Sequence, residues 1–322
     1  MKKIFLFSLL SFILGMNSAF AQNILVANLC HNGTVTNFYG VGALVNAHSA
    51  AEHGDTIILS QGTFNTGSFY ITKAVTIYGA GMDLNADGQG TIFNDGFTIN
   101  ITDAVNIPFH LEGIYTTRTI TINKTPENSI ITKCRINTVQ ANDVITCMKS
   151  RIFYLEGSAN KYFYNCYVGV TGERNNINAY NCVIYVEENY YIPYSNIYNC
   201  IIRGSWRGTF PNTATMYNNV AIDEAPSNVF QDITAGGSNS VSTYADIFKN
   251  NTGTYYDTDT FELTDAAKTT YLGIDGTQVG LYGSVTPYDT TPTIPLITSY
   301  QVAAKAANGK VSVNVEINGG ED

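Results

Sequence analysis

The chain has 322 residues, only 13% of them charged, and its formal net charge at pH 7 is −9. Soluble domains usually carry about a quarter charged residues. Here Asn, Thr, Ser, Gly and Tyr take their place, which favours strands and turns over helices. An acidic chain repels phosphate backbones, so the composition argues against nucleic acid as a partner.

The first 21 residues have the pattern of a secretory signal peptide. Two lysines precede an apolar run over residues 4–14 and a small-x-small cleavage site at 19–21. The run is too short to span a bilayer, and no later stretch is apolar enough to be a transmembrane segment. We therefore expect a mature chain that begins at Gln22 and is secreted, periplasmic or on the outer cell surface.

The triplet Tyr-Asn-Cys occurs three times, in YFYNCYVG, AYNCVIYV and IYNCIIRG. Alignment on its cysteines gives units at Cys134, Cys166, Cys182 and Cys200, with Asn219 in the same position of a fifth. The steps between the last four units are 16, 18 and 19 residues. Self-similarity at such a period is typical of a solenoid built from stacked coils.

The repeat also predicts the shape of each coil. Apolar residues stand three positions before and two positions after each cysteine, and only a bend between them puts both inside. Asn tolerates the left-handed backbone of such a bend. We therefore predict that four asparagines lie at the corners of successive coils, with their side-chain amides hydrogen-bonded along the stack: Asn165, Asn181, Asn199 and Asn218. The tyrosines that precede them are predicted to face outward in a row: Tyr164, Tyr180, Tyr198 and Tyr217.

The cysteines of the repeat are expected to point inward as free thiols. Disulfides between neighbouring coils are an alternative, although in-register parallel strands rarely offer the required torsion. A metal site is another, but cysteines that all face one way do not enclose an ion.

Before the repeat, the sequence predicts an amphipathic helix from Ala43 to Glu52 with Leu44 buried against the first coil. Such a helix would cover the open end that a solenoid leaves. Strands are predicted at 56–59, 69–72 and 75–78, with turns at Gln61-Gly62 and 79–81.

Residues at both ends of this region resemble a known family. "GDTIILSQGTF" followed by "AVTIYGAG" looks like the entry segment of right-handed parallel β-helix proteins, the pectin-lyase-like superfamily. "FELTDAAKTTYLG" and "DGTQVGLYGS" are similar to the exit segment of secreted β-helix proteins of Bacteroidetes. The resemblance covers roughly residues 23 to 285 and implies the fold, but it leaves function open because this superfamily holds enzymes, adhesins and binding proteins.

The C-terminal part is predicted to be separate from the β-helix, which would occupy 22–285. Prolines mark residues 286–294 as a linker. Residues 295–322 then read as a β-hairpin, with strands at Ile297–Ala303 and Val311–Ile317. This hairpin would either cap the last coil or act as a surface tether.

The sequence offers only a weak catalytic site. The Asn-Thr-Asp, Asp-Asp and Gly-His-Gly motifs of hydrolases on this fold are missing, and no paired acids align across the repeat. A lyase needs a base, usually Lys or Arg. The residual candidates are Lys149, Arg151 and Glu156, with Glu173 and Arg174 a coil later, and the alternative is that they are simply solvated.

A second surface suits sugar binding. Aromatic and Arg side chains on an exposed face can stack on sugar rings and bond their hydroxyls. The candidate ligand-binding residues are Tyr190, Tyr194, Trp206 and Arg207, and the alternative is that they pack a lateral loop onto the coils.

Calcium is possible in "DLNADGQG", where Asp83, Asn85 and Asp87 copy the first half of a calcium loop. The twelfth position is Asn94 instead of Glu, so a polar turn explains the same residues, and we expect no cofactor.

Together these features predict an all-β protein: a right-handed parallel β-helix with an N-terminal capping helix and a small C-terminal β-hairpin. The expected function is that of an exported, non-catalytic, glycan-binding or cell-surface protein with a polysaccharide or surface glycan as its partner. The alternative is a polysaccharide lyase or glycoside hydrolase with an unrecognised site.

Overall fold

The computed structural model of the chain shows a parallel β-helix of about eight turns. It describes residues 25–83, 90–103, 106–171, 176–187, 192, 194–204, 213–222, 230, 233, 235–250, 259–294, 296–302 and 313–318. The predicted all-β solenoid is therefore confirmed. The proposed signal peptide lies outside the described residues.

The strands are short, as the coil period requires. In chain order they are β1 (Val26–His31), β2 (Thr34–Tyr39), β3 (Thr56–Leu59), β4 (Gly62–Phe64), β5 (Phe69–Ile71), β6 (Thr76–Tyr78), β7 (Thr91–Phe93), β8 (Phe97–Asn100), β9 (His110–Glu112), β10 (Ile114–Lys124), β11 (Ile130–Thr132), β12 (Arg135–Ala141), β13 (Ile145–Met148), β14 (Arg151–Glu156), β15 (Lys161–Tyr164), β16 (Tyr167–Val170), β17 (Ile177–Tyr180), β18 (Val183–Val186), β19 (Asn196–Tyr198), β20 (Ile201–Gly204), β21 (Thr215–Tyr217), β22 (Val220–Ile222), β23 (Ala235–Gly237), β24 (Ser240–Ser242), β25 (Leu296–Val302) and β26 (Val313–Asn318). The helices are α1 (Ala43–Ala50), α2 (Tyr244–Ile247) and α3 (Asp265–Thr270).

Among the described residues, two sheets of twelve strands run along the solenoid. Sheet A has the order β2-β1-β3-β6-β9-β11-β13-β15-β17-β19-β21-β23. Sheet B has the path β24-β22-β20-β18-β16-β14-β12-β10-β7-β4, and β5 and β8 join it beside β10. From β3 onward the strands of sheet A pair in parallel, because each coil repeats the previous one. The core lies between the sheets and is built from the inward residue of each strand, such as Ile131, Phe163 and Ile197.

The corner between the two sheets is where the repeat predicts it. Asn165, Asn181, Asn199 and Asn218 have φ angles of 52°, 53°, 56° and 54°. Lys133 and Lys149 hold the same position in earlier coils, each with φ of 48°. We call these six residues the corner row. The left-handed backbone at the asparagines is confirmed.

Immediately after the corner, one inward side chain per coil forms a polar ladder. Each accepts a hydrogen bond from the backbone N–H of the residue at the same position one coil earlier, because the bend leaves that N–H without a strand partner. The bonds are Cys134 N to Ser150 Oγ (3.1 Å), Ser150 N to Cys166 Sγ (3.4 Å), Cys166 N to Cys182 Sγ (3.4 Å), Cys182 N to Cys200 Sγ (3.3 Å) and Cys200 N to Asn219 Oδ1 (2.9 Å). All six cysteines are free, so the predicted free thiols are confirmed.

Thiol chemistry should separate Cys30 from the other five cysteines. Cys30 is half-buried, whereas the others are fully buried. Burial raises the pKa of Cys134 to about 12, and it also raises the pKa of Cys147. Because the thiolate is the reactive form, we expect one thiol per native chain to react with a disulfide reagent and all six to react in denaturant. Fewer than six after denaturation without a reductant would show disulfides and contradict the ladder.

The N-terminal end is closed by α1, which confirms the predicted capping helix with Leu44 fully buried. The helix ends two residues earlier than predicted, because Ala51 has an extended backbone. A hairpin of β1 and β2, turning at Asn32 and Gly33, adds two antiparallel strands before the first coil.

His48 in α1 should make stability depend on pH. Its Nε2 accepts the backbone N–H of Thr72 at 3.3 Å. Burial, and then the positive charge of Lys73, lower its pKa from 6.5 to about 4. The pKa of His48 is lower in the folded chain than in the unfolded chain, so between pH 6.5 and 4 the unfolded chain binds more protons. The contribution of His48 to the free energy of unfolding is therefore complete above pH 6.5 and is lost as the pH falls towards 4. Melting temperatures across this range should show the loss, and the substitution His48→Gln, which keeps an acceptor, should flatten it. An equally steep profile for the variant would contradict this assignment.

The C-terminal segment 271–294, which we call the strap, runs back along the corner from the late coils to the early ones. Its first half bonds the corner asparagines, and its second half bonds Arg151, Lys133 and Glu112. The hydrogen bonds are Asn218 Nδ2 to Leu272 O (3.0 Å), Ile274 N to Asn199 Oδ1 (3.0 Å), Asn165 Nδ2 to Leu281 O and Gly283 O (2.8 Å each), Arg151 Nε to Tyr288 Oη (2.9 Å), Lys133 Nζ to Thr291 O (2.6 Å) and Thr293 N to Glu112 Oε1 (2.9 Å).

The strap corrects one prediction. The expected hydrogen bonds between neighbouring corner amides are wrong, because these amides bond the backbone of the strap instead. Asn181 Nδ2 is buried without a hydrogen-bond partner among the described residues. Residues 286–294, predicted to be a linker, form the second half of the strap.

Beneath the strap and the terminal helices lies a second apolar cluster, on the outer side of sheet B. Tyr167, Val183 and Ile201 contribute to it from the sheet, and Phe261, Leu281 and Tyr288 cover them. One outer face of the solenoid is therefore covered by the chain itself. Beyond the strap, β25 and β26 pair in antiparallel, which confirms the predicted hairpin.

Candidate functional site

The outer face of sheet A carries a row of stacked tyrosine rings, which we call the Tyr stack: Tyr164, Tyr180, Tyr198 and Tyr217. Each stands just before a corner residue, opposite the inward residue of its strand, so in-register pairing brings the rings together. Successive ring centroids lie 5.2, 5.1 and 5.8 Å apart, with interplanar angles of 8°, 5° and 5°. The predicted outward row is confirmed.

Stacking decides what the tyrosines can present to a ligand. Each ring lies over its neighbour, so ring edges and hydroxyls, and not ring faces, point away from the sheet. The rings are half-buried, and burial is the main reason that the pKa values of Tyr164 and Tyr180 are raised. The hydroxyls of these two tyrosines therefore stay neutral at ordinary pH and can both donate and accept hydrogen bonds.

A polar row runs beside the Tyr stack, two positions earlier in each strand. Tyr162, Asn178, Asn196 and Thr215 occupy it in successive coils. Asn196 Nδ2 donates to Asn178 Oδ1 at 2.8 Å. On this face the amides of neighbouring coils thus bond each other, whereas the amides of Asn165 and Asn218 in the corner row bond the strap.

At its Tyr164 end the stack opens into a cleft of about 530 Å³. Tyr162 and Tyr164 form one side, and the loop 124–129 forms the other. Lys124 and Asp143 contact each other within the cleft at 3.2 Å. Partial burial raises the pKa of Asp143, but hydrogen bonds from backbone N–H groups, chiefly that of Thr125, and the Lys124 charge bring it below its usual value. The cleft therefore offers an aromatic edge beside fixed charges of both signs.

Sheet B carries a smaller pocket of about 210 Å³ on its outer face. The Arg135 guanidinium lies over the rings of Tyr115 and Phe153, at 5.2 and 5.7 Å from their centroids. Thr116, Thr117, Asn137 and Tyr154 complete the lining. The stacked arginine gives this pocket a cationic side, but its volume is less than half that of the cleft on sheet A.

Most of the predicted ligand-binding residues lie outside the described part of the chain. This applies to Tyr190, Trp206 and Arg207. Tyr194 is described and is 61% exposed, two residues before β19 begins. Because β19 carries Tyr198, Tyr194 lies close in sequence to the Tyr stack, although the sequence predicted the two as separate features.

Among the three weak catalytic candidates, Glu156 lies apart from Arg151. Arg151 and Glu156 stand at opposite ends of β14. Arg151 is buried, with its guanidinium over the rings of Phe261 and Tyr288 on the covered side of sheet B. Lys149 belongs to the corner row. Glu173 and Arg174 lie outside the described residues.

The calcium candidates are only partly described, since Asn85 and Asp87 fall outside the described ranges. Across the residues that the structure does describe, no group of three His, Cys, Asp or Glu side chains is placed to hold a metal ion. Nor does that part of the chain contain a helix long and apolar enough to cross a membrane.

The cleft was not predicted from the sequence, whereas the outward position of the tyrosines was. The loop 124–129, with sequence KTPENS, carries the turn residues Pro126 and Asn128, which were a usable signal for a protruding loop. Comparisons of the chain with protein-family models, with curated proteins and with solved structures found no match.

Proposed function

We propose that the protein is an exported glycan-binding or cell-surface β-helix protein that binds an extended polysaccharide along the outer face of sheet A. The observation that carries this proposal is the Tyr stack, which continues into the cleft beside loop 124–129. The resemblance to the pectin-lyase-like superfamily supports it, because polysaccharides are common partners of that superfamily.

The chemistry of the face suits a neutral polymer. The Tyr stack repeats a hydroxyl, and the neighbouring row repeats an amide or hydroxyl, at the spacing of parallel strands, about 4.8 Å. A chain of sugars also repeats its hydroxyls along its length. Each coil can therefore add similar hydrogen bonds without requiring a charge on the ligand.

The loops before β19 and after β20 extend this proposal. Tyr194 is exposed beside the start of β19, and Tyr190, Trp206 and Arg207 belong to the same two loops in sequence. We propose that they add aromatic and cationic contacts at the margin of the Tyr stack. Trp206 is the only tryptophan in the chain, so its fluorescence reports on these loops.

The test is a titration of the mature chain with neutral and acidic polysaccharides. Trp206 fluorescence and affinity electrophoresis measure the binding. The variant Tyr180→Phe keeps the ring and removes one hydroxyl of the stack. Loss of one hydrogen bond should weaken binding about fivefold to tenfold. Tyr70→Phe, at an exposed tyrosine on β5, is the matched control and should bind like the wild type.

Other outcomes would overturn the proposal. If no polysaccharide binds, or if Tyr180→Phe and Trp206→Ala both bind as tightly as the wild type, the assigned face is wrong. If the wild type releases unsaturated uronates or new reducing ends, and Lys149→Ala abolishes the release, the protein is a lyase or hydrolase instead.

A further inference from the structure

Strand β2 forms the outermost edge of sheet A. In the described sheet it pairs with β1 on one side only. Its side chains are mostly exposed, including Val35 at 58% and Tyr39 at 62%. Natural edge strands are usually blunted by charge, proline or a bulge, and Thr34–Tyr39 has none of these.

The hairpin determines which backbone groups of β2 face outward. His31 pairs with Thr34 across the two-residue turn, so Thr34, Thr36 and Phe38 direct their N–H and C=O groups towards β1. The intervening residues, Val35, Asn37 and Tyr39, direct theirs to the open edge. Three residues on this edge therefore offer hydrogen bonds to another strand.

The composition of this end indicates what kind of strand can approach. The chain carries a net charge of −9, yet residues 22–51 contain no Asp, Glu, Lys or Arg. Two copies of an acidic protein repel each other over most of their surfaces, but not here. A neutral edge on an acidic body suits a second copy of the same chain better than a basic or acidic partner.

We propose that two copies of the chain dimerise through β2, antiparallel, about a twofold axis at Asn37. This register pairs all three outward residues: Asn37 faces Asn37 of the other copy, and Val35 faces Tyr39 at both ends. An antiparallel edge is self-complementary, as a twofold interface requires. Sheet A then continues from one copy into the other, with the two Tyr stacks on the joined sheet.

Sedimentation velocity of the mature chain over a concentration series tests this proposal. The wild type should change from one to two chain masses as its concentration rises. Asn37→Asp places two carboxylates together on the axis, and Asn37→Lys places two ammonium groups there, so each variant should raise the dimer Kd about 100-fold. A mixture of the two should restore dimers, since opposite charges then meet.

The controls use Asn250, an exposed residue that follows α2 and lies far from β2 in the chain. Asn250→Asp and Asn250→Lys should dimerise like the wild type. At a concentration low enough for the wild type to be monomeric, circular dichroism melting should be the same in the wild type and the Asn37 variants, because the side chain is exposed and the backbone groups of Asn37 bond no strand in the described part of the chain. A monomeric wild type at all concentrations, unchanged dimers in Asn37→Asp, or no rescue in the mixture would each overturn the proposal.

Discussion

Replacement of Leu44 by Asp is expected to lower the free energy of unfolding by about 4 kcal/mol or more and to make the protein aggregate. Leu44 is fully buried where α1 closes the solenoid. The substitution removes a packed side chain and buries a carboxylate without a partner, and both effects destabilise the fold. Displacement of α1 would also open the apolar interior to other chains.

Chemical denaturation and light scattering measure both parts of this effect. Val41→Asp is the matched control, because Val41 lies just before the helix and is 60% exposed. It should change stability by less than about 0.5 kcal/mol. Equal stability and solubility of Leu44→Asp and the wild type would contradict the capping role of α1.

Replacement of Asn165 by Val is expected to cost about 3–5 kcal/mol, because two effects add. A β-branched residue is strained at a φ of 52°. The loss of the Asn165 amide also leaves the buried carbonyls of Leu281 and Gly283 without these hydrogen-bond donors. The strap should then loosen, which hydrogen exchange in segment 271–294 would detect.

Glycine separates the two effects. Asn165→Gly tolerates the left-handed backbone but loses the strap bonds, so we expect a cost of about 2 kcal/mol. Asn181→Gly has the same backbone, and its Nδ2 has no hydrogen-bond partner to lose among the described residues, so it should be nearly neutral. If the two glycine variants are equally stable, the asparagines act through the backbone alone.

The repeat was sufficient to predict the fold because every coil has the same pattern of inward apolar residues and a corner residue. Alignment on cysteine nevertheless skipped a coil, since Ser150 replaces the cysteine there and fills the same place in the polar ladder. A hydroxyl and a thiol accept the same hydrogen bond at that position. The position therefore requires a small side chain that accepts a hydrogen bond, and an alignment that matches only identical residues does not detect this requirement.

The N-terminal hairpin could also have been predicted. Asn32-Gly33 between two alternating runs is a strong signal for a two-residue turn, and both residues have positive φ. The strap is different, because its bonds join residues as far as 181 apart along the chain. Composition marked 286–294 as a segment without strands, but could not show that it lies on the coils.

Only the part of the candidate site that follows from the repeat could be predicted from the sequence. The outward direction of Tyr180 follows from the repeat, whereas the cleft depends on how loop 124–129 folds back beside Tyr162. A loop conformation of this kind is set by contacts with a different coil. The pattern of the repeat contains no information about it.

The strap also fixes the size of the molecule. A solenoid can in principle gain or lose a coil without disturbing the rest, because each coil contacts only its neighbours. Here a segment of constant length meets Asn218 at one end and Glu112 at the other. Deleting one coil between them would shift every later contact by about 4.8 Å. A duplication or loss of one coil in this protein would therefore be tolerated only if the strap became longer or shorter at the same time.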